Sequence, residues 1–147
     1  MKFTLENQYL DGAVALMQRM PLIGYQSMAR TRFIRVLKDS VQALVDARKD
    51  LVDEFGLKDG NGKPVTENGN YKLRPDKISD YNEAYNKLMT QKAEVDKATY
   101  TDHKKDIQDV LKNCKLELSG DEATIYAALC DALDVNFHDE VTEKEGK

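Results

Sequence analysis

Tryptophan is absent, and the chain holds only two cysteines, two histidines and three prolines. Each scarcity removes a class of protein. Cys114 and Cys130 are too few for a disulfide framework and are expected to be reduced and semi-buried. The cysteines form no Cys-x-x-Cys and the histidines no His-x-x-x-His, so no metal site is expected. His103 and His138 are both read as solvent-exposed. No run approaches the roughly 18 apolar residues that span a bilayer. Lys2 is followed by Phe3, Thr4, Leu5 and Glu6 rather than an apolar stretch, so no secretory signal is expected. There is no Asn-x-Ser/Thr. These gaps point to an intracellular chain that does not engage a membrane.

Catalytic signatures are missing as well. Gly-x-Ser-x-Gly, the P-loop and Gly-x-Gly-x-x-Gly do not occur, and neither cysteine has a histidine close in sequence. Asp59-Gly60-Asn61-Gly62-Lys63 is superficially like a calcium loop. Lys63 stands at its fifth position, Pro64 where the turning glycine belongs, and Asn70 at the twelfth instead of glutamate. No catalytic residue, cofactor or metal is expected, and the chain is read as not an enzyme.

Acidic residues are missing from one long stretch. Between Asp11 and Asp39 there is none, while Arg19, Arg30, Arg32, Arg35 and Lys38 all fall there. Setting those five aside from the 22 basic residues leaves 17 against 26 acidic ones, within a net charge of −4. Such a split suggests internal pairing or a basic surface turned towards an acidic partner.

What the chain has in quantity is helical periodicity. Ile34, Leu37, Val41, Leu44, Leu51 and Phe55 step by threes and fours, with Arg48 in the one missing slot. This is a heptad-type, coiled-coil seam on a helix over 28–55, ~42 Å long at 1.5 Å per residue. Ser27 is its expected cap and Gly56 its expected stop. Thr4 is read as the cap of a first helix over 5–20, with Leu10, Ala13, Met17 and Met20 on one face. Pro21 and Gly24 break it, and the apolar connector 21–26 should pack partly inward. Asn68-Gly69 reads as a type I′ hairpin turn between 64–67 and 70–73. Pro75 and Asp76 open a third helix through Ile78, Tyr81, Tyr85 and Leu88, resumed at Val95 and running to about Lys97. Thr101 is expected to cap a fourth helix to about Asn113, with Ile107, Val110 and Leu111 inward. Residues 115–118 alternate like a short strand, and Ser119 and Glu122 have capping-box spacing before a fifth helix to Leu133.

The expected fold is therefore mainly α. A long antiparallel helical hairpin carries a small β-hairpin in its connecting loop, and short helices pack against it. Residues 1–135 form the helical domain and 136–147 a disordered acidic tail. A hairpin that closes its own seam favours a monomer over a dimer through the second helix.

The run from Arg30 to Arg35 strains against local physics, because Arg30 and Arg32 fall in or just past the first turn of a helix starting near Met28, where the dipole disfavours cations by a few tenths of a kcal/mol each. Arg30 lies four before Ile34 and should point at a neighbouring helix. Arg32 and Arg35 share an outer face. They either bridge internally, as Arg35 could to Asp39, or form a contact surface with Arg30, Arg19 and Lys38. Nucleic acid is the less favoured partner, since the basic run is short and the remaining chain acidic. Arg48 is expected to pair across the hairpin with Asp80 or Glu83.

Several short stretches carry a resemblance: 3–7 (Phe-Thr-Leu-Glu-Asn), 26–34 at the opening of the long helix, 59–65, Asn70-Tyr71, and 117–123 before the last helix. Together they resemble a family of small uncharacterised proteins from tailed phages and prophages of Gram-positive bacteria, in the same order over most of 3–133. Around 24–26 that family is often more basic. Gly24-Tyr25-Gln26 has no lysine, which argues against a phosphate site. The resemblance implies phage origin and genes near the tail and lysis region, and carries over no activity or catalytic residue. The function expected is non-enzymatic, through contact with a phage structural or host protein in the bacterial cytoplasm or on the virion, as an accessory factor in tail or virion morphogenesis. The alternative is a small inhibitor of a host process such as a restriction or CRISPR effector. A weaker one is a nucleic-acid binder.

Overall fold

The computed structural model describes residues 2–96 and 103–138. In chain order its elements are β1 (Lys2–Glu6), a 3-10 turn (Asn7–Tyr9), α1 (Leu10–Arg19), α2 (Gly24–Phe55), β2 (Thr66–Glu67), β3 (Asn70–Tyr71), a second 3-10 turn (Pro75–Lys77), α3 (Ile78–Thr90), β4 (Lys92–Asp96), α4 (Lys104–Lys112) and α5 (Asp121–Ala132). The fold is mainly α, and α2, about 48 Å long at 1.5 Å per residue, is its spine.

The seam does what its spacing requires. Leu37 and Leu44 are buried, and Ile34, Val41, Leu51 and Phe55 are half-buried, all within the one chain. α3 covers the C-terminal half of α2 in antiparallel sense. The Phe55 ring meets Tyr81 edge-on with centroids 6.3 Å apart, and Arg48, earlier on α2, lies over Tyr85, later on α3. Between them β2 and β3 pair antiparallel, Thr66 opposite Tyr71. Asn68 and Gly69 both take positive φ, 54° and 81°, the type I′ geometry expected of Asn-Gly.

The N-terminal half of α2 is covered differently from expectation. β1 replaces the first turn of the supposed helix over 5–20, so Thr4 caps nothing. β4 replaces the end of the supposed third helix. The two strands pair antiparallel, Phe3 opposite Val95 and Leu5 opposite Ala93. Both segments also read as alternating strands, and pairing buries Phe3, Leu5 and Val95 together, which an isolated helical turn could not do. The Phe3 ring packs on Phe33 of α2 at 5.7 Å. α3 stops at Thr90, where Gln91 turns to φ −67°, ψ 138°. The carboxamide of Asn7 donates to the Leu88 carbonyl at 2.8 Å, and the Asn7 amide to Gln91 O at 2.9 Å. β1 thus delivers a side-chain cap to the end of α3. Lys97 and Thr101, the expected helix end and cap, lie outside the described residues, as do 139–147 of the expected tail.

Three boundaries are set by local geometry. α2 starts at Gly24 (φ +58°) rather than Ser27. In its connector Leu22 packs on the core while Ile23 is 87% exposed, so only part of the segment turns inward. Gly56 ends α2 without adopting the left-handed conformation (φ −72°). A Cβ there would collide with the Val52 carbonyl oxygen, so close approach, not chain reversal, demands glycine. α5 opens on Gly120 at φ +56° with no side-chain cap bond, displacing the Ser119 box. Residues 115–118 form no strand; Leu116 and Leu118 instead lean half-buried on the core.

Candidate functional site

The five cations of the acid-free stretch lie on α1 and α2, and the structure divides them into two groups. Arg19, in the last turn of α1, pairs with Glu122 at the start of α5. Arg30 reaches back to the end of α1, where Nη1 donates to the Met20 carbonyl, and its Nη2 lies 3.3 Å from Ser27 Oγ. A cation at that carbonyl opposes the negative end of the α1 dipole. With α2 starting at Gly24, Arg30 is its seventh residue, past the first turn in which the dipole disfavours a cation. The expectation that Arg30 faces a neighbouring helix holds.

Arg32 meets a residue read as exposed. His103 is 2% exposed and sits at the N-terminus of α4. The Arg32 Nη1 lies 3.1 Å from His103 Nε2, and His103 Nδ1 lies 3.0 Å from Asp106 Oδ2. A guanidinium has no acceptor, so Nε2 must be the bare nitrogen and Nδ1 carries the proton, donating to Asp106. Tyr25 leans over the imidazole, with centroids 5.7 Å apart, and its hydroxyl is a second neighbour of Nδ1 at 3.3 Å. Both ring nitrogens are thus engaged within the chain. Sequence spacing hides this cluster, because Arg32 and His103 are 71 residues apart; the Asp three after the His was its only local signal.

Arg35 and Lys38 form the second group. Both are exposed, and neither makes an ion pair among the described residues. Together with Gln18, Arg30, Thr31 and Ile34 they line a recess. Met28, Thr31, Arg35 and Lys38 step by three, four and three, so they form one solvent stripe. Met28 is 41% exposed, and Ile23 and Tyr25 stand exposed at the same end. The Arg32 head group turns to His103 instead, so the structure gives Arg32 and Arg35, expected to act together, different surroundings.

Arg48 does not pair with Asp80 or Glu83. Asp80 engages Lys77, just before α3, at 3.6 Å, and Glu83 engages Lys87 on its own helix at 3.9 Å. Its guanidinium instead lies 5.8 Å from the Tyr85 centroid, and Tyr85 stacks on Tyr81. The missed counterpart at the other end of α2 is Arg74. Its Nη2 donates to the Glu54 carbonyl at 2.7 Å and its amide to Phe55 O at 3.0 Å. It supplies the cation that the last turn of α2 lacks.

The calcium-like loop closes on itself. Asp59 Oδ1 accepts from the Asn61 and Lys63 amides at 2.8 and 3.0 Å. Among the described residues no three His, Cys, Asp or Glu side chains converge as metal ligands, and no helix is long and apolar enough to cross a membrane. Cys114 and Cys130 are free thiols. Burial first, against a lowering hydrogen bond with Tyr126, pushes the Cys130 thiol up to about 11. Burial and the neighbouring Cys130 hold the Tyr126 hydroxyl well above the usual phenol range, and it donates to the Leu111 carbonyl.

No protein-family model, curated protein or solved structure matches this chain.

Proposed function

We propose that the chain is a non-enzymatic phage or prophage protein acting by protein–protein contact, and that the Met28–Lys38 stripe of α2 docks an acidic partner. The single observation that carries this reading is the division of the cations. Arg19, Arg30 and Arg32 have internal partners, whereas Arg35 and Lys38 present exposed heads without an ion pair among the described residues. Beside them lies the exposed apolar group Ile23, Tyr25 and Met28. An apolar anchor flanked by cations is the usual composition of an interface, in which aromatic, Met and Arg side chains supply most of the affinity. The engagement of both His103 nitrogens supports a structural rather than a catalytic imidazole.

The resemblance supplies the setting: a factor in tail or virion morphogenesis, in the host cytoplasm or on the particle. Burial or half-burial of the six apolar seam residues within one chain supports a monomer. The test is capture of tagged protein from phage-infected lysate, in parallel with Arg35→Glu/Lys38→Glu. The expected result is recovery of phage structural proteins by the native chain and their loss from the variant. Capture of a host nuclease or defence effector overturns the morphogenesis role in favour of inhibition. Nuclease-sensitive recovery turns the reading to nucleic acid, and equal capture by the variant contradicts the docking face.

A further inference from the structure

The other end of α2 holds a recess of about 470 Å³, where the helical hairpin meets the β-hairpin. That is within the roughly 300–1,000 Å³ typical of small-ligand sites. Val52 of α2, Tyr71 of β3, Leu73 and Tyr81 of α3 give it apolar and aromatic walls. Tyr71 is 53% exposed, a large ring area left open to water.

The charges on its rim are selective. Arg48, Lys49 and Asp53 all line it, and none of the three makes an ion pair among the described residues. Lys49 and Asp53 are one turn apart on α2, so the carboxylate offsets the ammonium. Arg48 is the surplus cation. It occupies the one slot of the seam where an apolar residue belongs, yet no carboxylate meets it across the hairpin. Its guanidinium lies over the face of Tyr85 at 5.8 Å. A cation–π contact uses the flat face of the guanidinium and leaves its edge N–H groups unsaturated. Asn70 also lines the recess.

We infer that this recess binds an amphiphilic organic monoanion: an apolar ring or acyl body against Val52, Tyr71, Leu73 and Tyr81, with one acidic group on Arg48. A neutral ligand leaves the edge donors of Arg48 to water. A dianion meets Asp53. This site is separate from the Arg35–Lys38 stripe and does not rest on the docking proposal.

The probes are 8-anilinonaphthalene-1-sulfonate, a bicyclic body with one sulfonate, and N-phenyl-1-naphthylamine, the same body without it. The native chain should bind the sulfonate saturably at one site and the neutral dye about tenfold more weakly, the worth of one charge-assisted hydrogen bond. Arg48→Gln should remove that preference. Tyr71→Ala, at an exposed position, should weaken both dyes equally, with circular dichroism confirming that each variant is folded. Amide shifts on adding the sulfonate should centre on Val52, Tyr71 and Leu73. Non-saturable binding, equal affinity for the two dyes, shifts elsewhere, or a preference that survives Arg48→Gln in a folded variant would overturn the inference.

Discussion

The smallest unit that carries meaning here is the single arginine, because identical side chains do different work. Arg30 closes the end of α1, Arg74 the end of α2, Arg32 fixes a histidine tautomer, and Arg35 meets water. The sequence shows all of them as basic residues on helices or beside them. Only the distance of each head group from a carbonyl, a ring nitrogen or solvent separates their roles. The His103 assignment is testable directly. Long-range ¹⁵N–¹H NMR should show the neutral ring protonated at Nδ1, and Arg32→Ala should let the other tautomer appear. An Nε2–H ring in the native chain would refute the Arg32 contact.

Cys130 gives a second expectation at this scale. Only the thiolate attacks a disulfide reagent, and burial keeps this group protonated to about 11. In a Cys114→Ser background, native protein at pH 8 should react no faster than it unfolds, while denatured protein reacts at once. Raising the folded-state value above the unfolded one also fixes a sign. The contribution to stability is complete below about pH 9 and is lost as pH rises through about 11. Denaturant midpoints of the same variant between pH 8 and 11 should therefore fall, more steeply than those of Cys114→Ser/Cys130→Ala. Rapid labelling of the native thiol would contradict the burial.

Among the elements, the long helix and the Asn-Gly hairpin were legible in the sequence, and the β1–β4 pair was not. A seam of six apolar residues in one register has few other solutions, and Asn68-Gly69 meets a backbone requirement few other dipeptides satisfy. Lys2–Glu6 and Lys92–Asp96 are five residues each, and five residues are compatible with either period. Their pairing spans most of the chain, so no local window contains the partner that decides it. Phe3 is the residue most dependent on this pairing, since it is buried against Val95 and Phe33. Phe3→Ala should destabilise by about 3–5 kcal/mol in urea unfolding. Loss of amide protection should then appear in both strands and at the end of α3, which Asn7 caps. A cost under ~1 kcal/mol would mean that the strand pair contributes little to the core.

In the whole molecule, the last turn of α2 opposes its own dipole. It carries Asp53 and Glu54 and no base, and each acid there costs a few tenths of a kcal/mol. Arg74 compensates that end. The candidate docking face was half legible: the acid-free stretch contains its cations, but sequence grouped Arg32 with Arg35. The reason lies in α4, whose histidine reaches across the fold to take Arg32 out of the solvent stripe. The exposed Ile23 and the groove beside Arg48 were hidden for a similar reason, since each depends on how distant elements meet.

The central claim is that cations with internal partners hold the fold and the remaining two serve contact. The most direct measurement is the thermal midpoint of two double variants, Arg30→Glu/Arg32→Glu and Arg35→Glu/Lys38→Glu, against the native chain. Charged hydrogen bonds contribute about 1.5–3 kcal/mol each when partly buried, so the first variant should melt roughly 5 °C or more below the native protein. The second should melt within about 1 °C of it, as exposed charges without partners do. Equal losses in both variants, or a loss confined to Arg35→Glu/Lys38→Glu, would contradict the account.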